Sequence, residues 1–586
     1  MKKYIIFLAV AILGLGLSSC SDFQEEILDG NPLTSFTKSN YFTSETNVEM
    51  YANYFYNEWT GYGTGGSCNF YFPTLNDNQA VVGYTEWSYT SVPATNGTWS
   101  SCYTEIRRAN IMIEAIPGIA SMSEKAKNNW LGIGRLYRAW QHYCLVRAFG
   151  DCYYVDKVLD VNDESILYGA RQDRDAVMDK VLEDLNFAIE NITDNASSRT
   201  AFNKAVALAM KSEICLYEGT FCKYRVAADG QKAPDASRAA KYLEECKTAS
   251  KAIMDMTDMY ERSTSYRAIY NSFDLGKSDA TKEMILYKHY VYGTMVHALI
   301  DYTCGSTTTN GMTKDAFDAY LFTDGECLAN TAKPKSDHGV VVPVVPGTIA
   351  DSRTWIIDIS AVLANRDPRL SDAVDQYLFF PGCGYRRYSL GAEATSSTGY
   401  GVLKFDNPDF TDAARRNATN GGDTDAPVFW LSNVIINYAE ACAENGDNTD
   451  AVNAVNLLRD RVGMPHLSAS PKADPANNMG VSNLIWEVRR ERRVELMYDN
   501  NDRYWSLIRW HQLDKLDHST NPNLGKGAYV GSLQPTANDK IKIGADGYID
   551  TMNGTTGRKY DKKYYLNPIP SGQISLNENL GQNPGW

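Results

Sequence analysis

The stretch FWLSNVIINYAEACAENGDNTDAVNAVNLLRDRVGMP, residues 429–465, decides the fold class. Trp430, Val434, Tyr438 and Cys442 recur every four residues, which sets them on one face of an α-helix. Asn445-Gly446 supplies the stop, because glycine enters the left-handed conformation that ends helices at little steric cost. A second face then runs through Ala451, Val455, Leu458 and Val462. Two antiparallel helices joined by a tight turn follow from this pattern.

Such a hairpin has the length of a tetratricopeptide-like repeat, and the same pattern recurs upstream. Residues 201–222 pair with 237–256, and 126–149 pair with 173–192, where Val177, Val181, Leu185 and Ala188 align. Residues 44–58 pair with 100–117, where Ile106, Ala109, Ile113 and Ile116 align. A lone helical hairpin cannot bury its apolar stripe, so stacking is required to build a shared core. The expected fold is mostly α: four tetratricopeptide-like helical pairs as a scaffold, with long loop-rich insertions carrying short β-hairpins.

The scaffold is expected over about 41–256 and 428–510, interrupted by a loop-rich insertion at 257–427 and followed by an irregular tail at 511–586. All of this is assigned to a single domain spanning 41–586. Residues 59–99 form a further segment rich in Gly, Asn, Thr, Tyr and Trp. Loops this long are uncommon in compact proteins unless they are functional or disordered, and their aromatic content argues against disorder. The helices read as scaffold and the insertions as working surface.

The N-terminus carries Lys2 and Lys3, then an apolar run from Ile5 to Leu17 that is shorter than the roughly 20 residues of a membrane-spanning helix. Leu17-Ser18-Ser19-Cys20 resembles the lipobox of bacterial lipoproteins, which makes residues 1–19 a signal peptide, Cys20 the acylated residue and 20–40 a tether. Each buried methylene adds about 0.8 kcal/mol, so two or more acyl chains anchor stably where one would not. The acidic stretch Ser21 to Glu26 resembles the signal that sends such lipoproteins to the outer face of the outer membrane.

A net charge of −14 argues against nucleic acid, whose partners need a basic footprint. The 38 tyrosines and 11 tryptophans pair flat apolar faces with polar tips, which suits ligands of mixed polarity. GYGTGG, Gly61 to Gly66, matches G-x-G-x-x-G but follows a helix instead of a strand, so it lacks the context of a dinucleotide site. No P-loop, G-x-S-x-G, H-E-x-x-H or Cys-x-x-Cys occurs. Cys215 and Cys222 lie seven apart on one helix, about 10.5 Å along its axis and beyond disulfide reach. No cofactor and no metal is expected; Asp423 and Asp425 could hold calcium, but without the EF-hand pattern they read as solvated loop carboxylates. In the charge run from Leu484 to Trp510, Arg489, Arg490, Arg492 and Arg493 alternate with Glu487, Glu491 and Glu495, the pattern of an ion-paired structural helix.

Five segments together resemble the SusD/RagB family of surface lipoproteins: residues 133–151, 311–326, 436–465, 489–510 and the ending YYLNPIPSGQISLNENLGQNPGW at 564–586. Cys152 and Tyr153 depart from the family pattern after Phe149-Gly150-Asp151. The resemblance implies a non-enzymatic, cell-surface glycan-binding protein that delivers oligosaccharide to a SusC-like TonB-dependent outer-membrane transporter. Peptide or other nutrient binding with the same transporter is the alternative it leaves, and a glycoside hydrolase is a weaker one. Family ligand sites lie in the loops after the first helix and in the middle region, which selects Asp77, Trp87, Trp99, Tyr292 and Tyr302 by position and chemistry, with Asn76 as a hydroxyl partner. Aromatic rings would lie against C–H faces of the sugar while amides and carboxylates bond its hydroxyls.

Overall fold

The structure, a computed structural model, describes residues 41–63, 68–194, 198–304, 310–343, 355–378, 396–416, 418–531, 542–552 and 554–586. Cys20, the signal peptide, the tether and part of the GYGTGG motif lie outside the described residues.

The expected pairs are present with boundaries moved by a few residues. Helix α1 (Glu45–Ala52), continued by a 3₁₀ turn (Asn53–Glu58), accompanies α2 (Gly97–Ala115). Helices α3 (Glu124–Phe149) and α4 (Arg174–Asn191) form the second pair, and α5 (Lys204–Tyr224) and α6 (Ala236–Met254) the third. The quoted hairpin is α7 (Leu431–Asn445) and α8 (Asn448–Arg461), turned at Gly446 with φ +91°. Trp430 is a correction: it ends a strand and stands just before α7, in extended backbone, and Val462 stands just past α8.

The starts are set by side chains. Ser44, Asn96, Ser123, Asn203 and Asp235 each accept a hydrogen bond from a first-turn N–H of the helix they precede. Packing runs sequentially from α2 through α6, and α7 then packs on α5 and α6, so the fourth pair closes on the third across the insertion. Close approach has a sequence cause at Gly219, where a Cβ would meet Leu243 Cγ at 2.8 Å.

The insertion and tail hold small antiparallel sheets. Strand β1 (Gln79–Val81) pairs with β3 (Asn310–Met312), and β2 (Met284–Lys288) with β7 (Ala426–Trp430). Strands β4 (Val340–Pro343), β5 (Trp355–Asp358) and β6 (Tyr377–Leu378) form one sheet. In the tail, β8 (Lys526–Tyr529), β10 (Tyr548–Asp550) and β9 (Lys542–Ile543) form another, so the tail is more regular than its sequence suggests.

The arginine-rich run folds as α9 (Asn483–Glu495) and α10 (Asp502–Arg509). Its charges are ion-paired as expected, but mostly with other elements and in the interior. Arg489 meets Glu444 of α7 at 2.9 Å, Arg493 meets Asp315 at 2.8 Å, and Glu491 and Glu495 both bind Arg369, at 2.6 and 2.9 Å. Glu491 also binds Arg459 of α8 at 2.9 Å, and Glu495 binds Arg461. Arg509 and the Trp510 indole both donate to Glu440, each at 2.7 Å.

Candidate functional site

The pairing of β1 with β3, in register Gln79 to Met312, draws the 69–79 loop against the middle region. Asn76 folds this loop onto itself: its Oδ1 accepts from the N–H groups of Asn78 (2.8 Å) and Gln79 (3.1 Å), and its Nδ2 donates to the Pro73 carbonyl at 2.9 Å. Asp77 is buried and takes a bidentate pair of bonds from Arg503, both 2.7 Å, with Arg493 at 3.6 Å. Burial alone would raise its pKa; the two guanidiniums outweigh it and hold the carboxyl well below the usual range. Asp77 is thus a constant anion bound to the scaffold.

Tyr302, half-buried on the short helix Leu299–Cys304, sets its ring edge-on to Phe72 at 4.9 Å, and its carbonyl accepts from Tyr71 Oη at 3.2 Å. Tyr292 lies a few residues earlier, in a turn closed by the Val291–Met295 bridge. It is 57% exposed, with Val291 and Met295 each 46% exposed beside it. Arg415 lies 3.8 Å over the Tyr292 ring and is held there by Asp423 at 2.5 Å.

Trp87 and Trp99 sit elsewhere. Trp87 is 5% exposed, stacks on Tyr564 at 4.4 Å, and donates its indole N–H to the Lys559 carbonyl at 2.7 Å. Trp99 is 4% exposed in the first turn of α2, edge-on to Phe149 at 5.1 Å. Asn76, Asp77 and Tyr302 therefore share the surroundings of the 69–79 loop, and Tyr292 occupies the same middle segment as Tyr302. The two tryptophans pack against the tail and the end of α3.

A narrow, shallow crevice separates the 69–79 loop from the turn joining α9 to α10, lined by Asn69, Asn76, Gln79, Tyr498, Asn501 and Arg503 among others. The loops clasp each other through Tyr71 N–H to the Tyr498 carbonyl (3.0 Å) and Asn501 N–H to the Asn69 carbonyl (2.9 Å). Tyr71, Tyr498, Asn500 and Asn501 all adopt left-handed φ between 47° and 71° here. Strain of this kind persists only where surrounding structure enforces it, and it gathers at functional surfaces. Asn76 and Asn501 place amides on the cleft wall, while Asp77 keeps Arg503 engaged.

Sequence reasoning missed Arg415, because no local pattern joins residues so far apart to one ring. It also misjudged Asp425, which is fully buried; Asp423 is ion-paired instead of solvated. The buried histidines offer no acid–base chemistry near neutral pH. Burial pushes His142 and His297 down to about 3, so both stay neutral and bond backbone carbonyls at 2.9 and 3.0 Å.

The chain matches the family profile described as "SusD family" over residues 310–586 and that described as "Starch-binding associating with outer membrane" over 28–216. A SusD-like protein of Bacteroides ovatus is 24% identical over 33% of this chain and 36% of its own length. SusD-like protein P2 of Formosa agariphila is 26% identical over 38% of this chain and 45% of its own, so the chain spans less than half of either relative. SusD-like protein P38 of the same organism is 22% identical over 70% and 71%. A SusD-like carbohydrate binding protein from Bacteroides fragilis superposes with TM-score 0.65, 19% identity and coverage of 92% of this chain and 100% of that one. A second SusD-like structure from that organism gives 0.62, 21%, 95% and 100%. These structures share the fold, and no enzymatic family is indicated.

Proposed function

From the premise that this chain belongs to the SusD family, we propose that it is a cell-surface glycan-binding lipoprotein that hands oligosaccharide to a SusC-like TonB-dependent outer-membrane transporter. Cys20 would carry the lipid and residues 20–40 would tether the domain on the extracellular side of the outer membrane. No described helix is long and apolar enough to cross a membrane.

The observation that carries this reading is the exposed turn at Tyr292, an aromatic group flanked by apolar Val291 and Met295 and backed by the Arg415 guanidinium. The uncovered face of an aromatic ring supports a sugar's C–H face, and a guanidinium donates to neighbouring hydroxyls. Asn76, Asp77, Trp87 and Trp99 serve this reading by fixing the loops, since each is buried against protein. A delivery protein must also release, which sets the affinity at micromolar to millimolar, about −8 to −4 kcal/mol.

Isothermal titration calorimetry against soluble oligosaccharides, wild type beside Tyr292→Ala, tests the proposal. The expected result is micromolar to millimolar binding that the substitution weakens by about tenfold, roughly 1.4 kcal/mol. Unchanged affinity removes Tyr292 from the site. Binding of peptides in place of glycans would replace the ligand class and leave the transporter partner as proposed.

A further inference from the structure

The β2–β7 ladder ends in a cluster that the glycan-binding reading does not use. Its register sets Lys288 opposite Ala426, so the next residue out on one strand, His289, meets the residue before the other, Asp425. His289 Nδ1 lies 2.9 Å from Asp425 Oδ1 and 3.1 Å from Oδ2. The 272–280 loop closes over them through Asp425 N–H to the Ser272 carbonyl at 2.8 Å and brings in Asp274. One ligand atom from each of Asp274, His289 and Asp425 lies within 4.8 Å of the other two.

The charge balance here is unusual. Asp425 accepts N–H bonds from Leu275 and Tyr290, both 2.8 Å, yet among the described residues no lysine or arginine pairs with it. A fully buried carboxylate without a full positive charge is costly. Asp274 accepts from the Gly276 N–H at 3.0 Å through one oxygen and pairs through the other with the exposed Lys277 at 2.8 Å, a side chain free to swing into water. His289 is half exposed, which leaves the cluster open to solvent.

A second three-residue cluster shows the contrast. Asp175, Glu218 and Cys222 also converge, but Arg225 binds Asp175 at 2.8 Å, while Arg174 and Arg238 bind Glu218 at 2.6 and 3.0 Å. Those guanidiniums already supply the positive charge, and a metal ion there would be repelled.

We propose that Asp274, His289 and Asp425 form a binding site for a divalent transition-metal ion of the Zn²⁺ type. Ligands on such an ion sit about 2.0–2.2 Å from it, so pairs of ligand atoms end up some 3–4 Å apart, a spacing the cluster reaches with small side-chain adjustments. The imidazole nitrogen decides the class of metal: oxygen-only sites suit calcium and magnesium, whereas a nitrogen donor shifts preference to zinc and its neighbours. Three protein ligands leave at least one position for water, and the site lies three residues from Tyr292. Metal binding would fasten the insertion loop to the β2–β7 ladder.

The test is calorimetry on the full chain after chelation and dialysis, with ZnCl₂ and CaCl₂ titrated separately, and it is independent of any glycan. One equivalent of Zn²⁺ is expected, with Ca²⁺ at least about tenfold weaker. His289→Ala and Asp274→Asn should each weaken Zn²⁺ by about tenfold or more while leaving the far-ultraviolet circular dichroism unchanged. Both positions reach the surface, so neither substitution opens the core. Absence of stoichiometric Zn²⁺ uptake, Zn²⁺ affinity unchanged in His289→Ala, or Ca²⁺ binding tighter than Zn²⁺ would each overturn the assignment.

Discussion

The α7–α8 hairpin and the α9–α10 segment are neighbours that pack on one another, yet the hairpin's own seam is apolar while the interior of α9–α10 is held by charge, much of it paired with Glu440, Glu444, Arg459 and Arg461 of the hairpin. In the hairpin, Val434, Ala451, Val455 and Leu458 fill a shared apolar seam and are essentially inaccessible to water. In α9 and α10, Arg489, Glu491, Arg492, Glu495 and Arg509 are just as deeply buried. The difference teaches that a dense run of charge need not mark a solvated face. Where every charge finds its opposite, a helix can be interior on nearly all sides, at the risk that loss of one partner strands the others.

The sharpest way to break this comparison is Arg369→Met. It leaves Asp367, Glu491 and Glu495 without the guanidinium that binds all three at 2.6–2.9 Å. A loss of about 3–5 kcal/mol is expected in urea unfolding, or failure to accumulate folded protein. On the apolar side, Leu458→Ala should cost about 3 kcal/mol through the cavity it leaves. If the leucine proved costlier than the arginine, the ion network would be the lesser support.

A pH series sharpens the same contrast. Burial raises the Glu283 carboxyl to about 7, outweighing Arg461 at 3.4 Å. A carboxyl raised in the folded state contributes stability that is present below its unfolded value near 4.5 and is lost as pH rises through 7. Glu283→Gln removes that dependence, so its stability relative to wild type should improve by on the order of 2 kcal/mol between pH 4.5 and 8. Glu440 runs the other way: burial would raise it, but the surrounding arginines hold it at about 2, so its contribution is lost only in acid. The smallest effect belongs to Ser482→Ala, which deletes the side chain that caps α9 and should cost about 1 kcal/mol by thermal denaturation.

The helical pairs were legible because a helix that buries one stripe must repeat its apolar residues at that spacing. Trp430 was misassigned because an aromatic residue suits the end of a strand as well as a helix face, and periodicity alone does not separate the two. The pairing of Asp77 with Arg503 and of Arg415 with Tyr292 could not be read, because each joins residues brought together only by tertiary structure. The ion pairs of α9 were legible as pairs but not as to partner, since just one of them, Arg490 with Glu487, follows helical spacing.

The interruption between the third and fourth pairs bears on how the chain acquires its structure. Helix α6 ends at Met254 and α7 begins at Leu431, yet the two pack directly. The first three pairs can assemble from near-neighbour contacts as the chain emerges. The last must wait for the whole insertion and then close a long loop, whose entropy is lost before any contact is gained. Until then the apolar faces of α5 and α6 that α7 will cover stay open, and that interval is when the chain is most exposed to aggregation and proteolysis.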